Sequence, residues 1–181
     1  MTRDEAVALI EQHLAEENLR KHTYAVEAVM RAMARRFGEN EDVWGLAGLL
    51  HDLDYGQTKN DPERHGLLTA EMLREKGVDE TIVNAVLAHN DKAPRDSNLN
   101  RAIACADPVT GFVIACALVR PDKSLGTVKV KSLKKRWKEK RFAAGASRER
   151  MAIHEELGLE RDEYLAIALE AMQGIAPVLG L

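Results

Sequence analysis

Four histidines and two aspartates place the strongest constraint on how this chain can fold, because they form an ordered series of ligand-type residues. The series is His22, the pair His51-Asp52, His65, His89 and Asp107. Imidazole nitrogens and carboxylate oxygens are the groups that hold divalent transition metals in proteins. Six of them exceed what one ion needs, so the series predicts a metal centre with two ions. Any fold of the chain must therefore bring these distant positions into one pocket.

Length and composition are those of one globular domain. The chain has 181 residues, of which 45% are hydrophobic and 30% charged, and this is enough to bury a core without disulfide bonds. No apolar stretch suggests a membrane span, and the first residues lack the layout of a secretory signal. We therefore expect a cytoplasmic protein without a membrane partner.

The two cysteines predict free thiols. If Cys105 and Cys116 share a helix, they lie about 16 Å apart along it, which is too far for a disulfide. Reduced, buried thiols are the expectation.

Helical patterns recur along the whole chain, and strand patterns are nearly absent. The spacing of apolar and capping residues predicts helices over about 2–17, 19–37, 41–54, 62–77, 80–89, 99–119, 147–157 and 161–174. Pro108 and Gly111 predict a kink or break immediately after Asp107. The expected fold is all-α, a single-domain helical bundle over residues 1–181.

The ligand-type residues fall at informative places in these predicted helices. His51 and Asp52 lie near the end of the most apolar helix, where a charged aspartate needs a compensating cation or donor. His65 is expected in the first turn of one helix and His89 in the last turn of the next. Helix ends that face a common cleft are suited to a solvent-accessible metal site.

The order His22, His51-Asp52, Asp107 resembles the signature of the HD superfamily of metal-dependent phosphohydrolases, which are all-helical. The added His65 and His89 resemble its two-metal subgroup. This resemblance covers about residues 18–120 and implies the role of each residue. His22, His51, Asp52 and Asp107 would hold the first ion, Asp52 would bridge, and His65 and His89 would hold the second. It also implies that Asp52 and His51 are the catalytic pair.

The chain departs from the best-known forms of that family. The pair is followed by Leu53-Asp54 rather than Ile-Gly, and no Gly-Tyr-Pro motif is present. Asp54 could orient a ligand histidine or simply end a helix, and the second interpretation is slightly favoured. His13 and His154 lie outside the series and are expected at the surface.

A basic segment follows the ligand-type residues. Residues 120–150 contain twelve Lys or Arg against three acids, in a chain of net charge −3. Such a segment on an acidic body predicts that an anionic substrate is met at one place. The candidates for phosphate binding are Arg120, Lys123, Lys131, Lys134, Lys135 and Arg148. They belong to a basic C-terminal helical extension over about 120–181.

These observations favour a metal-dependent phosphohydrolase that cleaves a phosphomonoester or phosphodiester of a small metabolite or nucleotide. Nitrogen-rich ligation favours Fe, Mn, Co, Ni or Zn over Mg. A mixed-valent di-iron oxygenase on the same scaffold is a second interpretation that the ligands do not distinguish. A third is a non-catalytic module that binds nucleotides or nucleic acid. Nucleic acid is the less favoured partner, because only Trp137 and Phe142 interleave the basic residues.

Overall fold

The computed structural model describes all 181 residues, and its regular structure is entirely helical. The longer helices are α1 (Arg3–His13), α2 (Glu17–Phe37), α3 (Glu41–Leu50), α5 (Leu67–Glu75), α6 (Glu80–His89), α7 (Asn98–Leu118), α8 (Val130–Trp137) and α10 (Arg161–Gly174). The shorter ones are α4 (Tyr55–Thr58), α9 (Arg148–Met151) and α11 (Ala176–Leu179), with 3-10 turns at Leu125–Thr127 and Ala152–Leu157. The all-α, single-domain prediction is confirmed.

Several helix ends follow the capping chemistry of the sequence. Thr2 and Glu5 form a reciprocal capping box at the start of α1, and the Asn40 side chain accepts from two amides at the start of α3. Gly38 ends α2 in the left-handed conformation, with φ 69°. The Ser147 hydroxyl caps α9. These short-range contacts explain why the predicted boundaries agree with the structure there.

The segment between α3 and α5 differs from the prediction. Helix α3 ends at Leu50, so His51 and Asp52 lie in the turns that follow it and not within the helix. The next long helix begins at Leu67, because Gly66 adopts a left-handed conformation (φ 85°) that interrupts helical geometry. His65 therefore precedes a helix, and Asp61 accepts from Arg64 and His65 in a turn through its backbone carbonyl.

Helix α7 continues through Pro108 without the expected break. Proline removes one backbone hydrogen bond from a helix and strains the preceding turn. Helix α7 packs against α2, α6 and α10, and burial of its apolar residues offsets that loss. Asp107 consequently projects from the middle of a continuous helix.

Helices α2 and α3 pack closely against each other at Gly48. A Cβ on Gly48 would lie 3.0 Å from the backbone carbonyl of Val26 and 2.9 Å from the Met30 side chain. Glycine at this position lets the two helices approach. This approach sets α3 deep in the molecule, with its final turn close to His22 on α2.

Helix α7 is long and apolar enough to cross a membrane by length and hydropathy, contrary to the expectation that no stretch of the chain would be. Most of its apolar window (61%) is buried in the molecule. Core helices of globular domains share these properties, so length and hydropathy are weak evidence here. Cys105 and Cys116 are both free and buried on this helix, as predicted.

Candidate metal centre

The six ligand-type residues come together as two adjacent groups. Group A consists of His22, His51 and Asp107, and group B consists of Asp52, His65 and His89. Within each group one ligand atom per residue lies within 4.8 Å of the others. The fold thus gathers side chains from α2, α6, α7 and the turns after α3.

Asp52 lies between the two groups and presents one carboxylate oxygen to each. Its Oδ2 is 3.7 Å from Nε2 of His22 and 3.4 Å from Nε2 of His51. Its Oδ1 is 3.3 Å from Nε2 of His65 and 3.5 Å from Nε2 of His89. A carboxylate in this position can bind two cations at once.

All four histidines of the groups have Nδ1 held by a nearby acceptor. Nδ1 of His51 lies 2.8 Å from the Gly48 carbonyl, and Nδ1 of His89 contacts the Val86 carbonyl. A carbonyl only accepts, so each Nδ1 carries the proton and each Nε2 offers a lone pair. This arrangement is typical of metal-ligating histidines.

His22 is oriented through the hydroxyl of Thr110. This hydroxyl donates to the Asp107 carbonyl at 2.9 Å, so its oxygen can accept from Nδ1 of His22 at 3.1 Å. Nε2 of His22 then points to Oδ1 of Asp107 at 3.2 Å. One turn of α7 thereby supplies both a group A carboxylate and the group that orients its histidine.

His65 is oriented by Asp54, which corrects the interpretation of Asp54 as a helix-end residue. The Asp54 side chain is completely buried, and its Oδ1 accepts from Nδ1 of His65 at 2.8 Å. Its Oδ2 accepts from the amides of Gly66 and Thr69. Asp54 thus fixes both the His65 ring and the start of α5. The acid two positions after the His-Asp pair was the signal in the sequence.

Two nitrogens of group B lie so close together that a proton or a metal ion is needed between them. Nε2 of His65 and Nε2 of His89 are 3.0 Å apart, and both rings use Nδ1 as the donor. Two lone pairs at this separation repel unless a proton or a metal ion lies between them. The donor set of group B therefore fits a divalent cation.

Burial and neighbouring charges set the protonation of the residues in this centre. Burial lowers the pKa of His65, but its bonds to Asp52 and Asp54 outweigh burial and raise the pKa to about 9. Burial lowers the pKa of His51 to about 4, which leaves its ring neutral. Burial opposes ionisation of Asp52, yet the surrounding histidines hold its pKa well below the usual range.

His51 supplies a further sign that a cation fits group A. Its Nε2 is buried and has no hydrogen-bond partner. Buried polar atoms are almost always satisfied, and an orphaned one calls for an explanation such as an absent ion. A cation in group A would satisfy this nitrogen.

The candidate phosphate-binding residues lie apart from the metal ligands. The cavity that contains His22 and Asp107 has no Lys or Arg in its wall. Lys134 pairs with Asp162 at 2.6 Å, and Arg120 contacts Asp122 and Thr127. Lys123, Lys131 and Lys135 are exposed. The structure thus does not bring these side chains to the cavity wall.

Arg148, predicted as a phosphate-binding residue, donates to backbone carbonyls of its own chain. Its guanidinium donates to the carbonyls of Phe142, Ala143 and Ala146, with a longer contact to that of Trp137. It also covers the Phe112 ring at 4.4 Å from the centroid. Because four of its five N–H donors are engaged, Arg148 holds the loop before α9 in place.

Three further residues, near or beyond the centre, are placed in ways that the sequence did not indicate. Arg150 donates to the carbonyl of His89 and to Asp91 at 3.3 Å, a contact that no local pattern indicates. His154 is buried, not exposed. It stacks on Tyr164, and its Nδ1 lies 2.8 Å from the Leu159 carbonyl. His13, also expected at the surface, is half-buried.

A comparison with protein families now identifies the scaffold. The family model "HD domain" matches residues 19–110, about half of the chain, and this region contains all six ligand-type residues. The chain belongs to the HD-domain family. HD domains bind divalent metals, and groups A and B of this HD domain are the His/Asp clusters able to do so.

Curated relatives share the HD region only. Ribonuclease Y 2 of Levilactobacillus brevis is 32% identical over 95 residues, which is 52% of this chain and 18% of the relative. Ribonuclease Y of a Sulfurovum species is 32% identical over 94 residues, with the same coverage. The match thus spans about a fifth of these relatives' length. No solved structure matches the chain. The resemblance predicted from the residues is confirmed, and the chain is of a hydrolase family.

Proposed function

We propose that this HD-domain protein is a phosphohydrolase that uses two divalent transition-metal ions to cleave a phosphomonoester or phosphodiester. The observation that carries the proposal is the position of Asp52, whose two oxygens face different groups of histidines. In this proposal the residues of group A, together with Asp52, would hold one ion, and those of group B would hold the other.

The donor set indicates the kind of metal. Four imidazoles and two carboxylates favour Fe, Mn, Co, Ni or Zn over Mg, which prefers oxygen ligands. Divalent ions supply Lewis acidity, which offsets charge on phosphate oxygens and lowers the pKa of water. Hydrolysis forms a bond from a water oxygen to phosphorus and breaks the ester P–O bond, and the leaving oxygen takes up the proton that the water loses.

The chain's own residues prepare the site for this reaction. Asp52 and His51 are the proposed catalytic pair, with Asp52 common to both groups and His51 kept neutral by burial. Asp54 and Thr110 hold the rings of His65 and His22. Ligands that are positioned in advance need little rearrangement during the reaction.

The names of the relatives favour nucleotides among the proposed substrates. They carry the name ribonuclease, and a ribonuclease acts on phosphodiester bonds between nucleotides. The shared region is the HD domain with its metal ligands. We therefore place nucleotide phosphoesters first among the substrates of this chain.

Elemental analysis combined with a substrate screen tests the proposal. Protein purified without oxygen is expected to hold two transition-metal ions and to release alcohol or phosphate from members of a phosphoester panel with added Mn or Co. Asp52→Ala should lose metal from both groups and abolish turnover. His22→Ala and His89→Ala should each keep one ion.

The matched control is His13→Ala, since His13 lies on α1 outside both groups and should leave metal content unchanged. Two bound ions without cleavage of any phosphoester in the panel would overturn the proposal. Oxygen uptake by the iron-loaded protein, with no hydrolysis, would instead favour the di-iron oxygenase.

A further inference from the structure

A cavity of about 370 Å³ opens beside group A and has an unusual wall. His22 and Asp107 line it. The rest is made of small or uncharged residues of α7 and the loop before α9, including Gly111, Ala115 and Gly145. Apart from the ligand pair, no charged or hydrogen-bonding side chain lines it.

The dimensions and chemistry of this cavity limit what it can hold. Its volume lies at the lower end of the range of about 300–1,000 Å³ that is typical of small-molecule sites. Apart from His22 and Asp107, the wall offers no partner for a charged group, so burial of one there would cost free energy. The cavity therefore suits an uncharged group of the size of a sugar or a base, attached to a phosphate at group A.

The loop Ala143–Ala146 separates this cavity from a second one. Ala146 lines both cavities, and the second has a volume of about 650 Å³. Arg148 keeps the loop in place through its bonds to the carbonyls of Ala143 and Ala146. The two cavities are thus neighbours across a single fixed loop.

The second cavity is basic where the first is uncharged. Lys138 and Lys140 line it, and neither takes part in a salt bridge. Glu149 is the one acid in its wall, and Arg148 also lines it. Glu139, which lies between the lysines in sequence, is paired with Arg136 at 2.6 Å. Both lysines are exposed and neither ammonium group is paired within the chain, so they are free to contact an anionic ligand.

We propose that the substrate carries two phosphates on either side of one uncharged nucleoside. The scissile phosphate lies at groups A and B, the nucleoside fills the cavity beside Gly111, and the second phosphate reaches Lys138 and Lys140 across the loop. This inference rests on the proposed function and names its substrate class, a nucleoside bisphosphate. The walls offer no base-reading side chain, so base identity matters little.

Binding of adenosine 3′,5′-bisphosphate to the manganese-loaded protein tests this assignment by calorimetry, with adenosine 5′-monophosphate for comparison. Lys138→Gln/Lys140→Gln is expected to weaken bisphosphate binding by about 10-fold, because charge-assisted contacts are lost. Binding of the monophosphate should change little. The control Lys76→Gln/Lys129→Gln removes two exposed charges elsewhere and should leave both affinities unchanged.

Gly111→Leu tests the uncharged cavity independently. A Cβ at Gly111 meets nothing within 4 Å, so the leucine should fill the cavity without disturbing the fold. Both nucleotides should then bind at least 10-fold more weakly, while metal content stays the same. Gly174→Leu is the matched control, since its Cβ also meets open space and it lies on α10.

The outcomes separate this inference from the proposed function. If wild type cleaves phosphoesters but the lysine and Gly111 variants bind both nucleotides normally, the substrate assignment is wrong and the hydrolase stands. If the bisphosphate binds with the expected dependence but is never cleaved, the assignment stands and hydrolysis is wrong. A wild type that binds no bisphosphate overturns the assignment.

Discussion

Asp54 accepts a hydrogen bond from Nδ1 of His65 at 2.8 Å, although the two residues belong to different segments. Asp54 is buried and also accepts from the amides of Gly66 and Thr69. The same carboxylate therefore sets the direction of a metal-ligand ring and the start of α5. Removal of this carboxylate should weaken metal binding by group B more than by group A.

Asp54→Asn tests this relationship. The neutral amide of asparagine stabilises the Nδ1–H of His65 less than the carboxylate does. We therefore expect group B to bind metal about 10- to 100-fold more weakly. Titration of the stripped protein with manganese measures this change. Asp162→Asn, which alters an exposed aspartate, should bind like wild type. If group B of Asp54→Asn binds manganese with the wild-type affinity, the role of Asp54 is contradicted.

The protonation of His65 gives a second prediction, for protein stripped of metal by a chelator. The pKa of His65 is raised to about 9, against about 6.5 for an ordinary histidine. The NMR signals of its ring should therefore titrate near pH 9, and Asp54→Asn should lower that midpoint. A midpoint near 6.5 in wild type would show that the carboxylates do not stabilise the charged ring.

The same shift predicts how stability depends on pH. A pKa raised on folding contributes stability that is fully present below about pH 6.5 and is lost as the pH rises through about 9. The free energy of unfolding of the stripped protein should fall over that range, and the fall should be smaller in Asp54→Asn. Urea denaturation at several pH values measures it.

Substitution by alanine should have opposite effects on stability at two of the glycines. In Gly48→Ala the new methyl meets the Val26 carbonyl at 3.0 Å, so α2 and α3 must separate, at a cost of about 1–3 kcal/mol. In Gly111→Ala the methyl meets open space, and the gain in helix propensity should stabilise by up to about 1 kcal/mol. Chemical denaturation compares the two. Equal effects would contradict the close α2–α3 contact.

Thiol chemistry should report on the packing of α7. Burial raises the pKa of Cys105 to about 12 and that of Cys116 to about 11, so neither thiol is ionised at pH 8. We expect almost no reaction with a disulfide reagent in the native protein, and reaction of two thiols after unfolding in guanidinium. Fast reaction of either thiol in the native state would mean that α7 is less buried than the structure shows.

Many elements of this fold could be predicted from the sequence, because local contacts decide them. The bounds of α6, Glu80–His89, agree with the prediction, and the caps at Thr2, Asn40 and Ser147 act over two or three residues. The ligand-type residues were recognisable by their chemistry and order. They could be selected by residue type alone, without knowledge of the path of the chain.

Only the tertiary structure decided the roles of residues whose partners are distant in sequence. Asp54 meets His65 through the turns after α3, and Arg150 reaches the His89 carbonyl from α9. Pro108 stays inside a helix because neighbouring helices bury α7, a force that outweighs local preference. The sequence by itself determined an all-helical chain with six ligand-type residues. Packing decided how they divide into two groups around Asp52, because their separations depend on where whole helices lie.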